Sequence, residues 1–277
     1  MSQIKIYICG CARNVASYLD DIFKNIETLS SFLDDYHIII FYDASEDNSI
    51  DILNSYQSKY LDKMTLLIGN KELTNIRTQN IAYARNQLLK KMQELQFPDF
   101  HYFIMMDMDD ACSGNMNEDV FNYIIQQERN NTPLQWDALS FNRNPYYDIW
   151  ALSIIPYSFS CYHYSQRNKI KNQMLQFLST QLQNVHQEDS KRGLLSCISA
   201  FNGFAIYRVK KFSNIQYEWN VHKTLTIYPK QMVHQMSRIV FDKPILRHDD
   251  CEHRYFHIRA IQVHKARICI SPYSLFV

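Results

Sequence analysis

The stretch His101-Tyr102-Phe103-Ile104-Met105-Met106-Asp107-Met108-Asp109-Asp110 limits what this chain can fold into more than any other, because an apolar run stops abruptly in three acidic residues. Aromatic, β-branched and thioether side chains suit a strand buried on both faces, and in open α/β sheets ligands gather beyond the carboxyl ends of such strands. Three carboxylates held this close raise one another's pKa values unless a cation or basic side chains compensate them. Oxygen ligands alone select hard ions such as Mg²⁺ or Mn²⁺, which take one or two carboxylates and complete their shells with water and substrate phosphates. The same acids also fit a solvated turn capping the next helix, so the rest of the chain has to decide.

With 277 residues the chain can bury a sizeable core. Its net charge of +1 gives no global field to attract nucleic acid or an anionic membrane. No basic-then-apolar leader opens the sequence, and no apolar run approaches the ~20 residues that span a bilayer. A soluble, cytoplasmic protein is the expectation, with no transmembrane segment and no nucleic-acid partner. Seven cysteines, with Cys9-Gly10-Cys11 the only close pair, give neither a disulfide framework nor a zinc spacing, which suits a reducing compartment.

Along the chain, Ile4–Cys9 reads as a strand, and Val15, Leu19, Ile22, Phe23, Ile26 and Leu29 recur at helical spacing. A second apolar run, His37–Tyr42, leads into Asp43-Ala44-Ser45-Glu46-Asp47-Asn48, where Asp47 can cap the following helix. Met64–Ile68 is a third strand, and a long helix from about Asn75 to Leu95 precedes the acid-tipped strand. Such alternation predicts a mostly parallel sheet flanked by helices. Farther on, a helix over Asn117–Arg129, a strand over Trp136–Phe141, a tyrosine-rich loop, a surface helix over Gln166–Gln187, a turn into a strand at Asn202-Gly203 and a final strand over Ala266–Ile270 are predicted. No linker interrupts the chain, so a single domain with two functional halves is expected. A helix starting near Asp250 would place Asp250, His253 and His257 on one face, fit for a base or a metal ligand or simply for solvation at an acidic N-terminal turn.

Four stretches, in this order, resemble the family-2-like glycosyltransferases of GT-A fold. Phe41–Ser49 is similar to the family's "vDDgStDnt" loop, with Tyr42 in place of its first acid; Asn80–Asn86 resembles the "nxGxaxARN" helix and retains Arg85-Asn86; Met106–Asp110 resembles the "lDaDD" motif; and Asn202–Arg208 resembles the glycine-bearing strand near the acceptor. At the C-terminus, Glu252–Arg259 lines up with "EDxDFxLRxR", but His253 stands where the usual catalytic aspartate lies. Asp148–Leu152 together with Asp250–His253 also resembles related fungal and giant-virus glycosyltransferases.

The resemblance implies an α/β, Rossmann-like GT-A domain over residues 1–277, with 1–114 as the nucleotide-sugar half and 115–277 as the acceptor half. It implies a metal-dependent hexosyltransferase that moves a sugar from a UDP- or GDP-linked donor to a hydroxyl of a glycan or glycoconjugate. Donor contacts are expected from Cys9, Arg13, Asp43, Ser45, Arg77, Arg85, Asp107 and Met108. Mn²⁺ or Mg²⁺ is expected on Asp107 and Asp109, with His253 or His257 as further ligands. Acceptor contacts are expected from Asp110, Tyr147, Trp150, Asn202 and Gly203, and the base from Asp250, Glu252 or His253, with the stereochemical outcome open. Two rival readings are a metal-dependent nucleotidyltransferase and a non-catalytic carbohydrate- or nucleotide-binding module of the same fold.

Overall fold

The computed structural model describes residues 2–69, 74–130, 135–164, 166–188, 193–228 and 247–277. Strands β1 (Lys5–Ala12), β2 (Asp35–Tyr42), β3 (Met64–Ile68) and β4 (Phe100–Asp107) alternate with helices α1 (Leu19–Ser31), α2 (Ser49–Tyr60) and α3 (Arg77–Leu95). After α4 (Glu118–Arg129) and β5 (Ala138–Asn142) come α5 (Arg167–Glu188), the short β6 (Leu195–Cys197), β7 (Phe204–Arg208), the short helices α6 (Val209–Phe212) and α7 (Val221–Ile227), α8 (Glu252–His264) and β8 (Ile268–Ser274). All eight strands form one sheet in the order β3-β2-β1-β4-β7-β5-β8-β6.

The four strands of the first half are parallel, as their alternation with helices predicts. Beyond β4 the pattern changes: β7 runs antiparallel to both β4 and β5, β8 is parallel to β5, and β6 is antiparallel to β8. The parallel strands read as continuous apolar runs because both faces are covered. Ile6, Ile8, Ile38, Ile40, Ile104 and Met106 pack with α1 and α4 residues such as Phe23 and Phe121 on one face. Their alternating neighbours Tyr7, Cys9, Ile39, Phe41, Phe103 and Met105 pack on the other with Leu88 and Leu89 of α3 and Phe256 and Ala260 of α8.

The helix expected near Asp250 starts at Glu252, with Cys251 as its extended N-cap. Asp47 does not cap α2 as its N-cap residue; Asn48 holds that place, while Asp47 accepts from Ser49 and from the backbone N–H of Ala16 and so staples two loops together. The thin apolar stripe of α5 buries Met174, Leu178 and Leu182. Among the described residues no helix is long and apolar enough to cross a membrane.

The turn before β7 fixes the end of β4. Gly203 lies at φ +88° and its carbonyl accepts the Asp107 N–H at 2.8 Å, while a Cβ on Gly203 would sit 2.8 Å from the Cβ of Ala111. Both the left-handed backbone and the close approach require glycine here. Gly203→Ala is therefore expected to cost about 1–3 kcal/mol of stability, measured by urea unfolding; a variant as stable as the parent would contradict the contact.

Candidate active site

β1 and β4 lie side by side with Cys11 opposite Asp107, so their carboxyl ends open together. Beyond Asp107 the chain turns Met108 inward, leaving it 1% exposed. Gly10 makes room for it, since a Cβ there would meet Met108 Sδ at 2.5 Å. Burying Met108 leaves Asp107 and Asp109 on either side of it, and all three line a cavity of about 430 Å³. Asp109 Oδ1 also accepts the Ala111 N–H at 3.0 Å, which holds the turn.

Arg85, on α3, is buried at the back of this cavity. Its Nη2 donates to Asp107 Oδ1 at 2.9 Å, and its Nη1 donates to Glu252 Oε1 and to His253 Nε2 on α8. Phe201 lies against the guanidinium, 4.6 Å from ring centroid to Cζ. One buried cation thus ties the tip of β4 to the start of α8. Burial pushes the Asp107 carboxyl up to about 7; Arg85 pulls against this, while the charges of Asp109, Asp148 and Glu252 push the same way as burial. Burial also raises Glu252 against the pull of Arg85.

Ten of the sequence-predicted residues line the cavity: Arg13, Asp43, Arg77, Arg85, Asp107, Met108, Asp109, Tyr147, Trp150 and Glu252. The others lie elsewhere. Cys9 is in the core with its Sγ 3.7 Å from Met92 Sδ, and Cys11, two residues nearer the strand end, takes the cavity position. Ser45 shapes its loop, accepting from Asn14 N–H and donating to the Asp43 carbonyl. Asp110 is exposed and outside the lining. Asn202 is buried and accepts the Tyr147 and Asp148 N–H groups on Oδ1, so with Gly203 it supports the wall rather than forming it.

His253 and His257 stand one turn apart on α8, while Asp250 falls just before the helix and not on its face; all three are packed into the protein interior. His253 stacks on Phe201 at 3.8 Å, and because Arg85 can only donate, His253 Nε2 must accept from it. His257 pairs Nδ1 with Ser199 Oγ at 3.0 Å and Nε2 with Tyr207 Oη at 3.1 Å. His253 Nδ1 also faces Tyr207 Oη at 3.5 Å, so with all their ring nitrogens engaged neither histidine is free to ligate a cation at the acids. Asp250 is wholly buried and pairs with Arg254 Nε at 2.9 Å. Arg254 in turn donates to the carbonyls of Trp150 and Leu152 and to Ser153 Oγ, fastening α8 beneath the cavity wall.

Cavity residues not singled out as site residues from the sequence include Cys11, Thr78, Asp148, Tyr162 and Cys251. Asp148 carried a usable signal, an acid set between Tyr147 and Trp150 in the tyrosine-rich loop.

Residues 7–215 match the family described as "Glycosyl transferase family 2". The chain belongs to that family. Similar solved structures include S. aureus TarS 1-349, at 12% identity and a TM-score of 0.49 over 99% of this chain and 59% of that one. They also include glucosyl-3-phosphoglycerate synthase from Mycobacterium tuberculosis, in complex with Mn²⁺, UDP and glucosyl-3-phosphoglycerate, at 11% identity and TM-score 0.42 over 86% of this chain and 67% of that one. A third is the mannosyltransferase PcManGT from Pyrobaculum calidifontis, in complex with GDP-Man and Mn²⁺, at 13% identity and TM-score 0.37 over 57% and 45%. The chain thus spans 59% of the length of the TarS 1-349 chain. No curated protein matches.

The Asp250–Arg254 pair carries a pH signature. Burial alone would raise the Asp250 carboxyl, but Arg254 and His163 outweigh it and hold it below the ordinary carboxylate value. A depressed folded-state pKa contributes stability that is present above the unfolded value of about 3.9 and lost as pH falls through the folded one. Asp250→Asn, which orphans Arg254, should therefore cost about 3–5 kcal/mol at pH 7, and its gap from the parent should shrink well below pH 4. Urea unfolding across that range checks it; a gap independent of pH would contradict the pair.

Proposed function

We propose that the protein transfers a sugar from a UDP- or GDP-linked donor to a hydroxyl of a glycan or glycoconjugate, with Mn²⁺ or Mg²⁺ as cofactor. Membership of the family supports the reaction class, and the charge of the cavity carries the rest. Its lining holds five carboxylates, Asp43, Asp107, Asp109, Asp148 and Glu252, against three guanidiniums, Arg13, Arg77 and Arg85. One of those guanidiniums, Arg85, is already ion-paired. A diphosphate entering this cavity adds anionic charge to an acidic wall and needs a cation beside it.

The donor set fits that requirement. Asp107 and Asp109 offer only oxygen, as hard ions prefer, and a carboxyl as hard to ionise as Asp107 gains from a nearby positive charge. Among the described residues no group of three or more His, Cys, Asp or Glu side chains comes together to hold a metal unaided. Phosphate oxygens and water would complete the shell on Asp107 and Asp109. When bound, the cation neutralises charge on the departing diphosphate. Arg77 and Arg13 would meet donor phosphate or ribose, Asp43 the base, and Tyr147 and Trp150 the acceptor sugar by stacking. On this reading residues 1–114 serve the donor and 115–277 the acceptor, joined through Arg85 and Glu252.

Asp109→Ala should lower Mn²⁺-dependent release of UDP or GDP from nucleotide sugars by at least ~100-fold while leaving the melting temperature of the nucleotide-free protein nearly unchanged. The assay is coupled nucleotide release, with thermal shifts of UDP-GlcNAc, UDP-glucose and GDP-mannose measured with and without Mn²⁺. Full turnover of the variant in chelator would refute the cation's role, and release of pyrophosphate in place of nucleoside diphosphate would move the protein to nucleotidyl transfer.

A further inference from the structure

The second half of the chain contributes a carboxylate to the cavity whose chemistry the preceding reading leaves unused. Asp148 lines the cavity between Tyr147 and Trp150. Its loop is fixed from below: Asn202 Oδ1 accepts the N–H groups of Tyr147 at 2.8 Å and Asp148 at 2.9 Å, and Asn202 Nδ2 donates to the Phe141 carbonyl at 2.8 Å. Within the loop, Asp148 Oδ1 accepts the Ala151 N–H at 3.0 Å, which sets the side-chain rotamer. Asp148 Oδ2 has no hydrogen-bond partner among the described residues. The Trp150 indole N–H, two residues on, is likewise unpartnered among them.

The other lining carboxylates are less suited to take a proton. Asp107 and Asp109 stand at the end of β4, where a cation would hold them. Asp43 belongs to the loop after β2 and accepts the Ala44 N–H. Glu252 is committed through Oε1 to the buried Arg85. A proton arriving on Glu252 would leave that guanidinium short of a counter-charge inside the protein, a costly state that each turnover would have to revisit. Among the described residues Asp148 makes no ion pair, and a proton on Oδ2 disturbs none of its contacts there. Burial raises its proton affinity, partly offset by the Ala151 N–H and by Arg85.

We infer that Asp148 is the general base that deprotonates the attacking hydroxyl, the role expected of Asp250, Glu252 or His253. This rests on the reading of the cavity as a sugar-transfer site. In the step, the acceptor oxygen forms a bond to the anomeric carbon, and the bond from that carbon to the diphosphate oxygen breaks. The electron pair of the broken bond leaves with the diphosphate, and the hydroxyl proton passes to Asp148 Oδ2. Water can take the acceptor's place, so donor hydrolysis reports the same base.

The test uses the full chain with Mn²⁺ and UDP-GlcNAc, UDP-glucose or GDP-mannose, following nucleotide release. Asp148→Asn keeps the side-chain oxygen that accepts from Ala151 and removes the basic one. We expect kcat to fall at least ~100-fold with donor KM within a few-fold and the UDP–Mn²⁺ thermal shift preserved. Sodium azide, a nucleophile that needs no deprotonation, should restore nucleotide release in this variant by forming the glycosyl azide. Turnover within a few-fold of the parent overturns the assignment, as does a loss of UDP binding with the loss of rate, or a fall in kcat that azide does not relieve. Failure of the parent itself to release nucleotide from any of the three donors overturns the transferase reading, and this assignment falls with it.

Discussion

A single buried guanidinium holds the two ends of this site together. Arg85 donates to Asp107 at the tip of β4 and to Glu252 at the start of α8, residues 145 positions apart in the chain, and the cavity opens in front of that junction. Taking one cation and two carboxylates out of water carries a desolvation cost that only close pairing offsets, so the arrangement is tolerant of little change. Phe201 over the guanidinium and His253 accepting from it complete the surroundings. With those contacts made, α8 has few other places to sit.

The antiparallel strand β7 is the second constraint. Its entry turn, left-handed at both Asn202 and Gly203, meets Asp107 from one side and the Tyr147–Asp148 loop from the other. A turn outside the lining of the cavity therefore sets the relative position of two of its carboxylates, Asp107 and Asp148. The Asp250–Arg254 pair does similar work below, clamping α8 to the carbonyls at Trp150 and Leu152. Polar residues that resemble catalytic groups in the sequence are, in these two places, supports for the wall.

Much of the first half was legible because its signals are local. A strand buried on both faces reads as an unbroken apolar run, and acids at the end of such a strand stand where ligands gather, so Asp107 and Asp109 could be named from the sequence, and Arg85 through the resemblance of Asn80–Asn86 to a family motif. The C-terminal helix was less legible for a physical reason. Spacing put His253 and His257 one turn apart on α8, with Asp250 falling just before the helix instead of on it, but periodicity does not say whether their face meets a cavity or the sheet. Their neighbours decide it: Ser199, Tyr207 and Phe201 come from a region of the chain distant in sequence. Asp148 escaped for a related reason. It sits in an irregular loop whose orientation depends on Asn202, 54 residues later, and no local pattern reports that contact.

The most direct measurement is a double-mutant cycle on unfolding free energy between Asp107→Asn and Glu252→Gln, two residues that share Arg85 and have no hydrogen bond to each other. If one buried guanidinium serves both, the cycle should show coupling of about 0.5–3 kcal/mol, which disappears in an Arg85→Met background. Additive effects with Arg85 present would show that the strand tip and the C-terminal helix are held independently, and Arg85 would not be the junction on which the site depends.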